Sequence, residues 1–249
     1  MKKNLIDLHT HSVLSRHAYS SLTENIEYAL ANGLKVYGIS EHQPDPYGVG
    51  AHKYAFINCA RLTKNLNINM KVLTGIELNI LDGDFDLDLN VEKLDYCIAS
   101  MHTYAYSTTH TSEENTKNYI KACNTSYIKI IGHMDNPAYP CDYEKVIIAA
   151  KENKKLIELN NESLDPNGSR KGAIDIDKTI LNLCVKHKVP IILNSDAHIK
   201  YEIGNVDRCI TVLEEINFPE NLIVNYNNDL LMEYFNISIN WKTKNICYN

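Results

Sequence analysis

The chain has 249 residues, with 25 Lys and Arg against 31 Asp and Glu, for a formal charge of −6. That acidic balance speaks against a surface built for long nucleic acid or an anionic membrane, and 44% hydrophobic with 22% charged residues is an ordinary globular composition. Apolar runs such as Val146–Ala150 and Val189–Leu193 are far too short to span a bilayer.

The first β-rich run, Leu5–Leu8, leads into "DLHTHSVLSRHAYS". A helical pattern follows at Thr23–Ala31, with Thr23 as candidate N-cap and Gly33 where a C′ glycine is expected. Strand Lys35–Ser40 ends in "ISEH" and precedes helix Lys53–Leu66, and strand Lys71–Ile76 ends in "GIEL". The connection Leu78–Leu94 is too polar and irregular for a good helix. Its "DGDFDLD" resembles a calcium loop only superficially: glycine stands second rather than sixth, and no Glu stands twelfth, so a solvated loop is expected.

Strand Tyr96–Ser100 then ends in "ASMH", and Tyr127–Ile131 in "IIGHMD" before helix Tyr143–Asn153, with Asp142 as N-cap. Strand Lys155–Leu159 ends in "IELNN" before helix Ile174–His187, with Asp175 as N-cap, and strand Val189–Asn194 ends in "LNSDAH". The tail, Phe218–Phe235, reads as an extended piece and a final docking helix. Strands alternating with helices predict an α/β fold with a parallel sheet. Seven units predict a single domain over residues 1–249: a distorted seven-stranded (β/α)7 TIM-like barrel, one unit short of eight.

The seven cysteines include no Cys-x-x-Cys pair, and no hydrophobic leader precedes Asp7 and His9, so a reduced, cytoplasmic protein is expected. Cys184 and Cys209 fall in apolar helical patterns and read as small core residues.

In parallel barrels, function gathers where strands end. Six of the ten histidines (His9, His11, His42, His102, His133, His198) fall at these ends, and His17 lies in the first loop. Any one of them alone is more often a hydrogen-bonded structural group than a ligand, and Glu77 or Asp196 could be the buried partner of an arginine. Convergence decides otherwise, because neutral histidines and carboxylates crowded into one cavity need cations to organise them. Nine candidate ligands fit two or three ions, given about three protein ligands per catalytic ion. A nitrogen and oxygen set without thiolate suits Zn²⁺, Mn²⁺ or Fe²⁺.

These motifs ("DLHTH", "HAYS", "EH", "GIE", "MH", "GH", "SDAH"), with support from "FIN" and "SRKG", resemble the PHP family, named for polymerase and histidinol phosphatase domains. The likeness runs from about Ile6 to Phe235 and is greatest to stand-alone bacterial PHP phosphatases with a trinuclear metal centre. It implies one metal on His9, His11, Glu77 and Asp196, a second on Glu77, His102 and His133, and a third on His17, His42 and His198. Zinc is the first expectation, with manganese or iron compatible. Glu41 stands where relatives often carry Asp, a change expected to alter supporting hydrogen bonds rather than ligation.

The resemblance further implies hydrolysis of a small-molecule phosphate monoester by a metal-bridging hydroxide, with Glu77, Asp196 and Arg170 as catalytic residues. Arg170 is the expected phosphate clamp, Asn161 and His52 are further substrate-binding candidates, and Tyr19 is expected to pack beneath the site. His187 is read as a helix-end cation and His110 as an idle loop residue. Three alternatives stand behind this reading: a histidinol-phosphate phosphatase, a nucleotide or short-oligonucleotide phosphoesterase, and a non-enzymatic metal or phosphate-ester sensor. Amidohydrolases share the first His-x-His but place a lysine or carboxylate on the fourth strand and a histidine on the sixth. His102 and Asn160–Asn161 stand there instead. Oligomeric state is not legible.

Overall fold

The computed structural model describes residues 3–83, 85 and 91–240. Seven strands lie in chain order in one parallel sheet: β1 (Ile6–Asp7), β2 (Val36–Ile39), β3 (Lys71–Asn79), β4 (Tyr96–Ser100), β5 (Ile128–Ile131), β6 (Leu156–Asn160) and β7 (Ile191–Asn194). Around them run α1 (Leu22–Ala31), α2 (Lys53–Asn65), α3 (Ser112–Asn124), α4 (Tyr143–Glu152), α5 (Ala173–His187), α6 (Asp207–Glu215) and α7 (Asn228–Phe235). The seven strands form a nearly closed TIM-like barrel, distorted as expected. A register shift interrupts the β4–β5 pairing at Cys97 and Ile98, and the described residues of the β3–β4 connection hold only a 3-10 turn, Val91–Lys93. Most of the calcium-loop lookalike lies outside the described residues.

Two of the three expected helix caps fall elsewhere. Ser21, not Thr23, caps α1 and forms a capping box with Glu24, while α5 begins after Gly172 in the left-handed region rather than at Asp175. Asp142 caps α4 as expected. Helix α3 carries no clean apolar stripe, because polar side chains occupy its buried face. Asn115 Nδ2 donates to Pro140 O, Asn118 Nδ2 to Tyr106 Oη, and Thr116 Oγ1 accepts from Asp142 N. The tail behaves as read: Ile223 bridges Ile191 in parallel, and α7 with Ile237 and Ile239 covers the barrel interior from below.

That interior is filled by Ile6, Leu8, Val36, Leu73, Tyr96, Ile98, Ile130, Leu156 and Ile192. Tyr96 reaches from β4 across β3 and β2, and its hydroxyl donates to Leu8 O at 2.6 Å. A Cβ at Gly75 or Gly38 would stand 2.3 Å from its ring or hydroxyl, so glycine is required at both positions.

The sheet does not close by a regular ladder between β1 and β7. Side-chain amides join them instead. Asn225 Oδ1 accepts from Leu193 N, while its Nδ2 serves Leu193 O, Ile6 O and Asn4 Oδ1. Asn194 Oδ1 accepts from Leu8 N at 2.9 Å, and a single parallel bridge joins Thr10 to Ala197 at the upper rim. Asn225 is fully buried, so Asn225→Ala strands several main-chain groups without water. The expected cost is about 3–5 kcal/mol in urea unfolding, and a loss below about 1 kcal/mol would show that the seam closes without it.

Candidate metal centre

The nine residues flagged at strand ends converge at one end of the barrel. Glu77, near the end of β3, is the centre: Oε1 lies 3.1 Å from His133 Nε2 and 3.2 Å from His102 Nε2. Its Oε2 lies 3.0 Å from His42 Nδ1, 3.3 Å from His9 Nε2 and 3.5 Å from His11 Nε2. Asp196 Oδ1 stands 3.2 Å from His11 Nε2 and 3.4 Å from His9 Nε2. At the outer rim, His17 Nε2 and His198 Nε2 meet at 2.7 Å. Backbone conformation contributes, since His133 and Asp196 both have positive φ, an uncommon state that clusters at functional sites.

Hydrogen bonding from outside fixes the imidazoles. His9 Nδ1–H donates to Glu158 Oε1, His102 Nδ1–H to Asn79 Oδ1, His17 Nδ1–H to Ser15 O and His198 Nδ1–H to Asp196 O. Each of these rings therefore turns the lone pair of Nε2 toward the cluster, the arrangement of metal-ligating histidines. Inside, His9 Nε2, His11 Nε2 and Glu77 Oε2 are buried with no hydrogen-bond partner. In the neutral tautomers, His17 and His198 point lone pairs at each other. Such a set of inward-facing acceptors fits divalent cations.

Three groupings have donor atoms mutually within 4.8 Å: His9, His11 and Asp196; His42, Glu77 and His102; and His11, His42 and His198. The first follows the ligand set implied by the resemblance. The other two place His42 between the second and third sets rather than in the third alone.

Charge divides the cluster. Burial opposes charging His9, but the carboxylates of Glu158, Asp196 and Glu77 outweigh it and raise its pKa well above the ordinary value. Burial lowers that of His11 well below it, aided by neighbouring His42 and His198. Burial would raise Glu77 and Asp196, yet the surrounding imidazoles, joined at Asp196 by Arg170, hold both well below the carboxylate range. One half is thus anionic and buried; the other, around His17, is built of imidazoles and opens to solvent.

Supporting carboxylates tie the loops down. Glu41 accepts from Ser12 N and Ser15 Oγ, anchoring the loop that carries His17. Asp7 accepts from Ser195 N and Oγ, Gly204 N and His9 N, holding the "SDAH" turn against β1; burial pushes its carboxyl up to about 6. Glu158 and Asn79, not singled out from the sequence, belong here as well. The signal was available for Glu158, an acid inside an otherwise apolar strand.

Arg170 donates to Ser163 Oγ at 2.9 Å and to Asp196 Oδ2 at 3.4 Å, so it backs a candidate ligand. Behind it, Asp135 and Asp177 are both buried, and burial raises both carboxyls. The other substrate-binding candidates take structural positions. Asn161 Oδ1 accepts from Arg208 N at the start of α6; along β6 it is Asn160 that faces the site, donating to Glu158 and Asp196. His52 is exposed, caps α2 through Tyr54 N and lies tilted against the Tyr54 ring, contacts that do not involve the cluster. Tyr19 does not pack beneath the site: it is 80% exposed, because its backbone pairs with His198 O and turns the side chain outward. Tyr104, also unforeseen, stacks on His102, and its hydroxyl donates to Asn79 Oδ1. His187 ends α5 against Glu144, and His110 stacks on Tyr106 away from the cluster.

Fold and cluster together define a TIM-like barrel protein with a histidine and carboxylate centre at the strand ends. The model of the PHP domain matches residues 7–168, and the chain belongs to that family. A probable phosphatase of Clostridium acetobutylicum is 41% identical over 235 residues, covering 93% of this chain and 94% of the relative. A probable phosphatase of Caldanaerobacter subterraneus is 39% identical over 238 residues, covering 94% and 92%. Among solved structures, the histidinol phosphate phosphatase of Lactococcus lactis, complexed with zinc, L-histidinol and phosphate, has a TM-score of 0.60 at 18% identity, over 87% of this chain and 95% of that one. A putative histidinol phosphatase of Listeria monocytogenes reaches 0.63 at 16%, over 80% and 97%. At these identities the structural likeness speaks to the fold.

Ser15 offers a local test. Its hydroxyl donates to Glu41, accepts from His42 N at 3.0 Å and lies 3.3 Å from His11 Nδ1. Ser15→Ala should lower the stability of the metal-free protein by about 1–3 kcal/mol in chemical denaturation. An unchanged midpoint would mean that the His17 loop is held by other contacts.

Proposed function

We propose that the protein is a metal-dependent phosphatase that hydrolyses small-molecule phosphate monoesters with the help of three divalent ions, zinc foremost, with manganese or iron compatible. The observation that carries this reading is the inward-facing acceptor set: five imidazole nitrogens within 3.5 Å of the Glu77 carboxylate, and two imidazoles meeting edge to edge at the rim. The names of the sequence relatives, and the ligands of the Lactococcus lactis enzyme, point to the same chemistry.

His9, His11, Glu77 and Asp196 would hold one ion, Glu77, His102 and His133 a second, and His17, His42 and His198 a third, with His42 placed to share. When bound, such ions supply an activated water near neutral pH and positive charge for the phosphate oxygens. The chain's own residues do the rest. Glu77 and Asp196 orient the ligand histidines, and burial excludes bulk water from the inner half. The more open rim at His17 and His198 leaves the side from which a phosphate can enter. Arg170 braces Asp196 and is placed to pair with a phosphate oxygen. Asn161 and His52 contribute to α6 and α2 rather than to the substrate.

Purified protein should contain between two and three transition-metal ions per chain, as the donor count allows, and release phosphate from p-nitrophenyl phosphate. Chelation should abolish the activity and zinc or manganese restore it. His133→Ala should lower the rate by orders of magnitude while the circular dichroism spectrum is kept. Metal-loaded protein that cleaves no phosphomonoester would overturn the reading. Arg170→Ala should reduce kcat/KM about 10- to 100-fold, the loss of one charge-assisted hydrogen bond in the transition state. An effect on kcat/KM below about twofold in steady-state assays would remove Arg170 from the machinery.

A further inference from the structure

β6 supplies none of the nine candidate ligands, yet its Glu158 is buried to 3% exposure directly beneath them. Four donors converge on this carboxylate. His9 Nδ1 at 2.7 Å and Asn194 Nδ2 at 2.8 Å meet Oε1, while His133 N at 2.9 Å and Asn160 Nδ2 at 3.1 Å meet Oε2. Asn160 Nδ2 also reaches Asp196 Oδ2 at 3.2 Å, and Asn194 Oδ1 holds Leu8 N, which leads into His9. Glu158 therefore touches His9 through its side chain and His133 through its backbone, and reaches Asp196 through one amide.

We propose that Glu158 is a positioning residue that sets the two ligand groups of the buried half together, His9 on one side and His133 on the other. The inference rests on the metal-centre reading above. Two features of the geometry support it. The bond to His9 Nδ1 fixes the tautomer that leaves Nε2 free to ligate, the role carboxylates play behind metal-bound imidazoles. The bond to His133 N holds a residue whose φ of +24° is unfavourable without support, and that backbone turn directs its Nε2 at Glu77 Oε1.

The donor pattern makes the residue type specific. Every group facing Glu158 is an N–H, two to each oxygen, so only a carboxylate can satisfy them all. A glutamine is nearly the same size, but its amide nitrogen would face two donors whichever way it turned. Glu158→Gln is thus a minimal change in shape that breaks one side of the hub.

The test is zinc binding to chelator-stripped protein, followed by competition with a chromophoric chelator, with ion content by mass spectrometry and metal-free stability by urea unfolding. Glu158→Gln should bind the ions of the inner half about 10- to 100-fold more weakly, while the ion at the His17 and His198 rim keeps its wild-type affinity. Glu158→Asp keeps the charge but draws the carboxylate back by one methylene; it should fold and show the same weakening in smaller degree. Should Glu158→Gln fail to fold, the aspartate variant decides. Wild-type affinity in a folded variant overturns the proposal, and so does a destabilised metal-free variant whose zinc affinity is unchanged, since Glu158 would then serve the fold alone. If the wild-type protein itself takes up no zinc, the metal reading fails first and the inference with it.

Discussion

One buried carboxylate governs the upper half of this barrel. Glu77 is 1% exposed and is met by imidazoles from the ends of four other strands. Its position follows from backbone pairing that outlasts β2: Glu77 N donates to Glu41 O, Gln43 N donates to Glu77 O, and His42 forms a bridge with Glu77. The main chain thus places His42 and Glu77 side by side before any side chain is considered. Parallel strands in chain order bring the remaining histidines to the same rim, because each β-to-α loop leaves the sheet at that end.

The crowd around Glu77 is not symmetrical, and its asymmetry suits a reaction in which an anion must both bind and leave. The inner half combines carboxylates with rings that are almost wholly buried, a setting in which electrostatic attraction to a cation is least screened. The outer half is imidazole-only and partly open, so it adds donors without adding negative charge. From the open side, the imidazoles of His17 and His198 are met before the carboxylates of Glu77 and Asp196. The lowered pKa of His11, caused by burial and by its imidazole neighbours, favours the neutral ring in the region where the halves join.

Much of this was legible in the sequence because the relevant signals are local and repeated. Strand after strand ends in an acid or a histidine, and six of the seven strand runs were placed to within two residues at either end; only β3 reaches further, to Asn79, carrying Glu77 inside the strand rather than beyond it. The misses share a cause: a polar residue does a neighbour's structural work. Helix α3 hid behind Asn115, Thr116 and Asn118, which are buried because each finds a hydrogen-bond partner, so the apolar period is broken. Asn161 looked available for substrate until the start of α6 took its oxygen. Tyr19 follows the motif closely in sequence, but the turn after His17 sends it outward. Asn225 acts over sequence distances of more than 200 residues, beyond any local pattern, and the acid at Glu158 within its strand marks a buried group without showing the partner 149 residues away.

The placement of the supporting carboxylates explains why the barrel tolerates so much buried charge. Asp7, Glu41 and Glu158 each accept at least three hydrogen bonds from main-chain or side-chain donors, which offset part of the cost of their burial. Glu77 and Asp196 differ. Their partners are mostly imidazole nitrogens, whose lone pairs cannot compensate an anion unless protons or metal ions stand between. The supporting carboxylates are thus held by hydrogen bonds of the fold, while Glu77 and Asp196 are held by the imidazoles around them, joined at Asp196 by Arg170. A cation bound there would add to folding stability through linkage. A barrel closed by two asparagine amides instead of a β1–β7 ladder can carry that arrangement because its upper rim is drawn together by the centre itself: His9 and His11 leave β1, Asp196 and His198 leave β7, and all four meet in the same cluster.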